Sequence, residues 1–334
     1  MLQDLIVRRP EGLYCPPGDF YIDPWRAVPR AIITHAHADH ARTGHEQYLA
    51  SEAGANVLRC RLGTINLQTL AYGETVEHQG VRISLHPAGH VLGSAQVRLE
   101  YRGDIWVVSG DYKLHDDPTC EPFETVACHT FITESTFGLP VYHWPAPESI
   151  MTDINDWWAN NVREGRASVL YAYSLGKGQR ILSGLDRSLG PIITHSSLSA
   201  LNEAYRATGV TLPDTVLMTD VQKRQDYQRA LVLAPPAVAG STWVKRLGDM
   251  SDAMASGWMR VRGARRRRGV DRGFVMSDHA DWPGLMQAIK ATKAQRVIVT
   301  HGNSAVLIRW LQASGIQAEA FRTDYGHEAD AHDQ

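Results

Sequence analysis

The stretch Ala31-Ile-Ile-Thr34-His35-Ala-His37-Ala-Asp39-His40 sets a short apolar β-like run directly before an H-x-H-x-D-H motif. Four potential metal ligands fall within six positions. Imidazole nitrogen and carboxylate oxygen suit Zn²⁺ and its first-row neighbours, and a loop leaving a strand end can turn alternate side chains toward two adjacent ions. On this reading His35 and His37 hold one metal, and Asp39 and His40 the other. The alternative is a loop of ordinary surface or hydrogen-bonded histidines, in a chain that has 15 histidines among its 334 residues.

A binuclear site needs further ligands from other strand ends, and each candidate follows a β-like run. His90 follows Val81–His86 through Pro87-Ala-Gly89, Asp111 follows Ile105–Ser109 through Gly110, and His301 follows Val297–Thr300. Taken singly, Asp111 reads as a turn residue, and His90 or His301 as an imidazole satisfied by backbone. Together with the first motif they read as ligands. Asp23, after Phe20–Ile22, is placed to orient a ligand imidazole from behind.

With 43% hydrophobic residues the chain can bury a sizeable core and is long enough for two domains. The first ten residues lack the apolar segment of a signal peptide, and no apolar run reaches membrane-span length, so a cytoplasmic protein is expected. Cys15, Cys60, Cys120 and Cys128 form no C-x-x-C pair, which argues against a cysteine zinc site or a disulfide scaffold. The net charge of −2 hides an asymmetry: residues 144–272 carry 18 Lys+Arg against 12 Asp+Glu, and the rest carries 16 against 24. The middle of the chain is a basic insert.

Short β-like runs dominate up to about residue 140: Phe20–Ile22, Ala31–Thr34, Val81–His86, Gln96–Tyr101, Ile105–Ser109 and Thr130–Thr133, with a weaker helical signal over Gly54–Ala71. From about 150 longer helical windows, Ile150–Arg163 and Leu198–Thr208, alternate with apolar strands Ser168–Tyr173, Ile192–His195 and Ala230–Leu233. The first texture returns after Arg268, with Gly273–Met276 strand-like, a helix capped by Asp281, strand Arg296–Thr300, helix Ser304–Ser314 and strand Ile316–Phe321. The tail Gly326–Gln334 is polar and reads as frayed. The expectation is an α/β fold with residues 1–143 and 273–334 in one domain and 144–272 inserted as another.

His35-x-His37-x-Asp39-His40, followed by His90 and Asp111, resembles the metallo-β-lactamase fold, an αββα sandwich with metals at one sheet edge. Glu134 in Thr133-Glu-Ser-Thr-Phe-Gly138, His279 in Ser277-Asp-His-Ala-Asp281 and His301 in Thr300-His-Gly302 resemble the three additional motifs of its β-CASP nucleic-acid-processing branch, whose members carry an α/β insert. Gly12-Leu-Tyr-Cys-Pro-Pro-Gly-Asp-Phe-Tyr-Ile-Asp-Pro-Trp25, Tyr173-Ser-Leu-Gly-Lys-Gly-Gln-Arg180 and Ser277-Asp-His-Ala-Asp-Trp-Pro-Gly-Leu285 are similar to the bacterial ligase-associated DNA exonucleases. At one position the chain departs from the eukaryotic DNA-acting relatives, which carry a small apolar residue where His301 stands; His301 matches the RNA-processing members.

The resemblance implies a DNA exonuclease with a DNA strand as substrate, acting in repair beside a DNA ligase and a helicase; an RNA-processing nuclease of the 3′-end type is the alternative. It implies two divalent ions, Zn²⁺ first and Mn²⁺ or Fe²⁺ next, one held by His35, His37, His90 and Asp111, the other by Asp39, His40, His301 and the shared Asp111. Two such ions lower the pKa of water and clamp phosphodiester oxygens. His279 has the chemistry of the acid that protonates the leaving oxygen, with Glu134 or Asp278 orienting it. Arg265, Arg266, Arg267 and Arg268 are candidate phosphate contacts, or a solvated basic loop. Lys177 and Arg180, at a strand-to-helix turn, are further candidates for a phosphate. Trp25, Trp258 and Trp282 read either as stacking platforms for bases or as packing residues. A non-catalytic binding subunit has no missing ligand to support it, and hydrolysis of a small molecule sits poorly with a basic insert.

Overall fold

The computed structural model describes residues 4–221, 227–263, 266, 269–321 and 323. They form three sheets in a mixed α/β arrangement. The chain divides into two compact units, one built from Met1–Pro140 with the segment that begins at His279, the other from Val141–Asp278.

In the first unit one six-stranded sheet runs in chain order: Val7–Arg9, Gly12–Cys15, Phe20–Ile22, Arg30–Ile32, Gln47–Ser51 and Leu67–Leu70. Its first three strands are antiparallel and the rest pair in parallel. The seven-stranded sheet has the order Gln317–Ala320, Arg296–Gly302, Thr130–Ser135, Asp104–Val108, Ala95–Tyr101, Val81–Pro87 and Thr75–His78. Its first four strands are mutually parallel and the others antiparallel.

Alternation along the central strands explains where the core sits. Trp106, Val108, Ile132 and Ile298 point into a cluster shared with Leu13, Phe20, Ile22 and Ile32 of the first sheet. Their neighbours Val107, Phe131, Val297 and Val299 point the other way, into a cluster with Leu285, Ile289, Leu307 and Leu311. The period of two carries successive side chains to opposite faces, so strands buried on both faces read as unbroken apolar runs. The helices that cover the second face are Trp282–Thr292, where Asp281 accepts the Gly284 N–H at 2.9 Å, and Ser304–Ala313.

The second unit holds an all-parallel six-stranded sheet, Val216–Leu217, Ile192–Thr194, Leu231–Ala234, Ala167–Tyr171, Met250–Ala255 and Arg272–Phe274. Parallel pairing needs crossovers, here partly helical. Helix Pro147–Glu164 starts with proline at its first turn, stops at left-handed Gly165, and buries Ile150, Ile154, Trp157, Trp158 and Asn161 along one stripe.

Three local expectations change. The helical signal over Gly54–Ala71 resolves into helix Ala55–Leu62, ended by Gly63 at φ +73°, and strand Leu67–Leu70. The strand expected at Gly273–Met276 runs over Arg272–Phe274 and pairs with Met250–Ala255, so the first unit resumes at His279 rather than at residue 273. The tail Gly326–Gln334 lies outside the described residues. Among those described, no helix is long and apolar enough to cross a membrane.

Candidate metal centre

Six strand ends converge on one point. His35 to His40 follow Arg30–Ile32, Asp23 follows Phe20–Ile22, His90 follows Val81–Pro87, Asp111 follows Asp104–Val108, and Glu134 and His301 close Thr130–Ser135 and Arg296–Gly302. Carboxyl ends of parallel strands are where such folds place ligands.

Asp111 is at the centre. Its Oδ2 lies 3.4 Å from His35 Nε2, 3.5 Å from His40 Nε2, 3.8 Å from His90 Nε2 and 4.0 Å from His279 Nδ1, and its Oδ1 lies 3.2 Å from His301 Nε2. Three groups result, each with donor atoms within 4.8 Å of one another: His35, His37, His90 and Asp111; His40, Asp111 and His301; and Asp111, Glu134 and His279. Asp39 stands outside them, with Oδ2 3.8 Å from His40 Nε2. Gly110 permits this convergence. It has φ +57°, and a Cβ there would lie 2.7 Å from Thr34 Cβ and Oγ1.

A layer of oxygen partners fixes the imidazoles. Asp23, itself at φ +42°, accepts Thr34 N–H at 2.7 Å and Thr34 O–H at 2.5 Å, and its Oδ2 is 2.7 Å from His40 Nδ1. Thr34 Oγ1 in turn is 3.1 Å from His35 Nδ1. Since the hydroxyl proton goes to Asp23, the imidazole is the donor in this contact, which leaves His35 Nε2 as a lone-pair site facing Asp111. Thr300 repeats the device, with Oγ1 donating to Thr133 O and 3.0 Å from His301 Nδ1. A Thr-His dipeptide, Thr34-His35 just past one strand and Thr300-His301 near the end of another, marks both positions in the sequence.

Electrostatics follow from this geometry. Burial, reinforced by the neighbouring His40 charge, pushes His35 well below the ordinary imidazole range. Burial opposes charge on His40 as well, yet Asp111, Asp39 and Asp23 together hold its pKa up at about 10. Against burial, His40 and His279 hold Asp111 well below the usual carboxylate range. Burial thus disfavours charge on His35, while the surrounding carboxylates favour it on His40. His35 Nε2 is buried with no hydrogen-bond partner among the described residues. A buried orphan acceptor beside a carboxylate and further imidazoles fits a divalent cation.

Glu134 is buried, and its carboxylate lies 3.0 and 2.8 Å from His279 Nδ1. Asp278, in the second unit, lies 3.6 Å from both Lys177 Nζ and Arg180 Nη1. Lys177 and Arg180, expected at a phosphate, are buried at 1% and 6% exposure. Lys177 sits over the Tyr173 ring at 4.6 Å, and Arg180 donates to Ser277 O at 2.8 Å. Their charges are turned inward because Asp278 is buried with them. Arg266 is exposed, while Arg265, Arg267 and Arg268 lie outside the described residues. Trp25 is a core residue donating to Pro10 O at 2.8 Å; Trp258 and Trp282 make edge contacts with Tyr142 and Trp310.

No family model matches the chain. It is 32% identical over 322 residues, 95% of its length, to a probable DNA ligase of Opitutus terrae, and spans 31% of that protein. Over 54% of its length it is 24% identical to an RNase J-like protein of Methanocaldococcus jannaschii, spanning 50% of it. A protein of unknown function from Enterococcus faecalis shares the fold at a TM-score of 0.58, with 12% identity, 89% of this chain and 80% of that one covered. The names of these relatives describe a ligase and a ribonuclease, and the three His/Asp/Glu groups of this chain could hold metal ions. The chain spans about a third of the ligase-named relative and half of the RNase J-like one.

Proposed function

We propose that the protein is a metal-dependent DNA exonuclease that hydrolyses phosphodiester bonds from strand ends, in a repair pathway that also employs a DNA ligase and a helicase. The observation that carries the chemistry is the five imidazoles gathered around Asp111. The DNA side is supported by the similarity of nearly the whole chain to a segment of a protein described as a probable DNA ligase.

In this reading His35, His37, His90 and Asp111 hold one divalent ion, and His40, His301 and Asp111 the other, with Asp39 at the rim of the second. Zn²⁺ fits these donors first, with Mn²⁺ and Fe²⁺ as the other ions they accept. When bound, the ions supply Lewis acidity to the phosphodiester and lower the pKa of water. The chain's own residues do the rest. Asp23, Thr34 and Thr300 hold His40, His35 and His301 by their Nδ1 atoms, which turns each Nε2 toward Asp111. Glu134 holds Nδ1 of His279 and leaves Nε2 to give a proton to the departing sugar oxygen. A reducing cytoplasmic setting agrees with four free cysteines.

An RNA substrate is the second reading. His301 favours it, through the motif it shares with RNA-processing proteins, as does the RNase J-like relative. Digestion of 5′- and 3′-labelled DNA by the protein loaded with one defined metal tests the first reading. The expected result is mononucleotides released progressively from one end; internal cuts alone would remove the exonuclease assignment.

A further inference from the structure

Arg61 is on the last turn of helix Ala55–Leu62, and its Nη1 donates to the carbonyl oxygen of Ala36, between His35 and His37. The start of the same helical segment is tied to a second ligand loop. Ser51 donates from Oγ to Gly93 O at 2.5 Å, and Ser94 Oγ in that turn accepts the His90 and Val91 N–H groups at 3.0 and 3.2 Å. The two turns nearly touch, since a Cβ on Gly93 would lie 2.1 Å from Gly54 Cα. The frame that fixes the ligands therefore fixes Arg61 beside them.

A guanidinium has five N–H donors in a rigid fork, and the Ala36 bond uses one. Among the described residues Arg61 makes no second hydrogen bond and no ion pair. The Asp39 carboxylate acts on it only from beyond ion-pair distance, and its partly buried position costs the cation hydration, pulling its pKa down from the ordinary arginine value. Stapling one carbonyl would need neither a fork nor a permanent charge. A constrained cation with spare donors at the rim of a site for an anionic substrate has the chemistry of a phosphate contact.

We propose that Arg61 is a substrate-binding residue, whose remaining N–H donors take a backbone phosphate of the DNA strand beside the bond to be cut. The assignment rests on the nuclease reading above. Its role is distinct from that of the metal ligands, because Arg61 meets the strand rather than the ions.

The test is equilibrium binding of a fluorescent, phosphorothioate-protected thymidine oligonucleotide to the metal-loaded protein over a range of salt, with metal content measured in parallel. Arg61→Ala is expected to bind about ten-fold more weakly, with a salt dependence shallower by about 0.7 in log–log slope and an unchanged metal content. Arg61→Lys, which keeps the charge and one donor, is expected to fall between the two and guards against a folding defect in the alanine variant. Unchanged affinity and slope in Arg61→Ala would overturn the proposal while leaving the nuclease reading intact. So would metal loss in both variants with the slope unchanged, because Arg61 would then serve only the Ala36 carbonyl. If the unsubstituted protein binds no oligonucleotide, the nuclease reading falls, and the assignment of Arg61 with it.

Discussion

Glu134 turns both carboxylate oxygens toward Nδ1 of His279, Oε1 at 3.0 Å and Oε2 at 2.8 Å, while Oε1 also accepts the Tyr112 N–H at 2.8 Å. The carboxylate is thereby fixed, and it fixes the imidazole in turn. His279→Ala should lower turnover by about 10²–10⁴-fold. Glu134→Gln, which keeps shape but loses charge, should lower it by roughly ten-fold. Both variants should retain the metal content of the parent. Near-normal turnover in His279→Ala would remove it from the chemistry, and near-normal turnover in Glu134→Gln would remove the positioning role.

Asp23 joins two imidazoles of the candidate metal centre through one carboxylate, binding His40 directly and His35 through Thr34. Asp23→Ala leaves the Thr34 N–H without its acceptor and puts alanine at φ +42°. Destabilisation by about 2 kcal/mol and a metal affinity lower by about 10–100-fold are expected. Asp23→Asn tolerates that backbone and should recover much of the stability but not of the affinity. Denaturant titration and competition with a chelator measure the two effects, and equal metal affinity across all three proteins would contradict this role.

His45 gives a pH dependence separate from the metal centre. It is buried, its Nδ1 accepts the Val28 N–H at 3.3 Å, and burial pushes its pKa from 6.5 down to about 4. Between these values the unfolded chain binds a proton that the folded protein refuses. Stability from this residue is therefore complete above pH 6.5 and is lost as pH falls toward 4, by on the order of 2 kcal/mol. The melting temperature of the parent should fall more steeply across this window than that of His45→Gln, whose amide oxygen can still accept. Parallel curves would rule this out.

Lys177 separates a buried charge network from a phosphate grip. With Nζ 3.6 Å from Asp278 Oδ2 and the side chain buried, Lys177→Met should cost about 3 kcal/mol in denaturant unfolding. Oligonucleotide affinity of the folded fraction should stay within about two-fold of the parent. A large loss of affinity with unchanged stability would restore the phosphate role.

Much of the site could be read in the sequence, for a physical reason. Strands buried on both faces leave unbroken apolar runs such as Ile105-Trp-Val-Val108, and a His or Asp just past each run then lies at a strand end. Pairing between distant segments leaves no such trace. Hairpin Val7–Arg9 with Gly12–Cys15 escaped notice because its first strand has exposed arginines and little alternation. Composition alone does not show that Lys177 and Arg180 are buried beside Asp278. Nothing in the sequence singles out Arg61, and only the position of Ala36 O gives it meaning.

Whether the centre around Asp111 acts on DNA is decided by the relative rates at which the metal-loaded protein degrades DNA and RNA strands of matched sequence. Faster release of nucleotides from DNA is expected, abolished by chelation and by Asp111→Ala. Equal or faster degradation of RNA would contradict it.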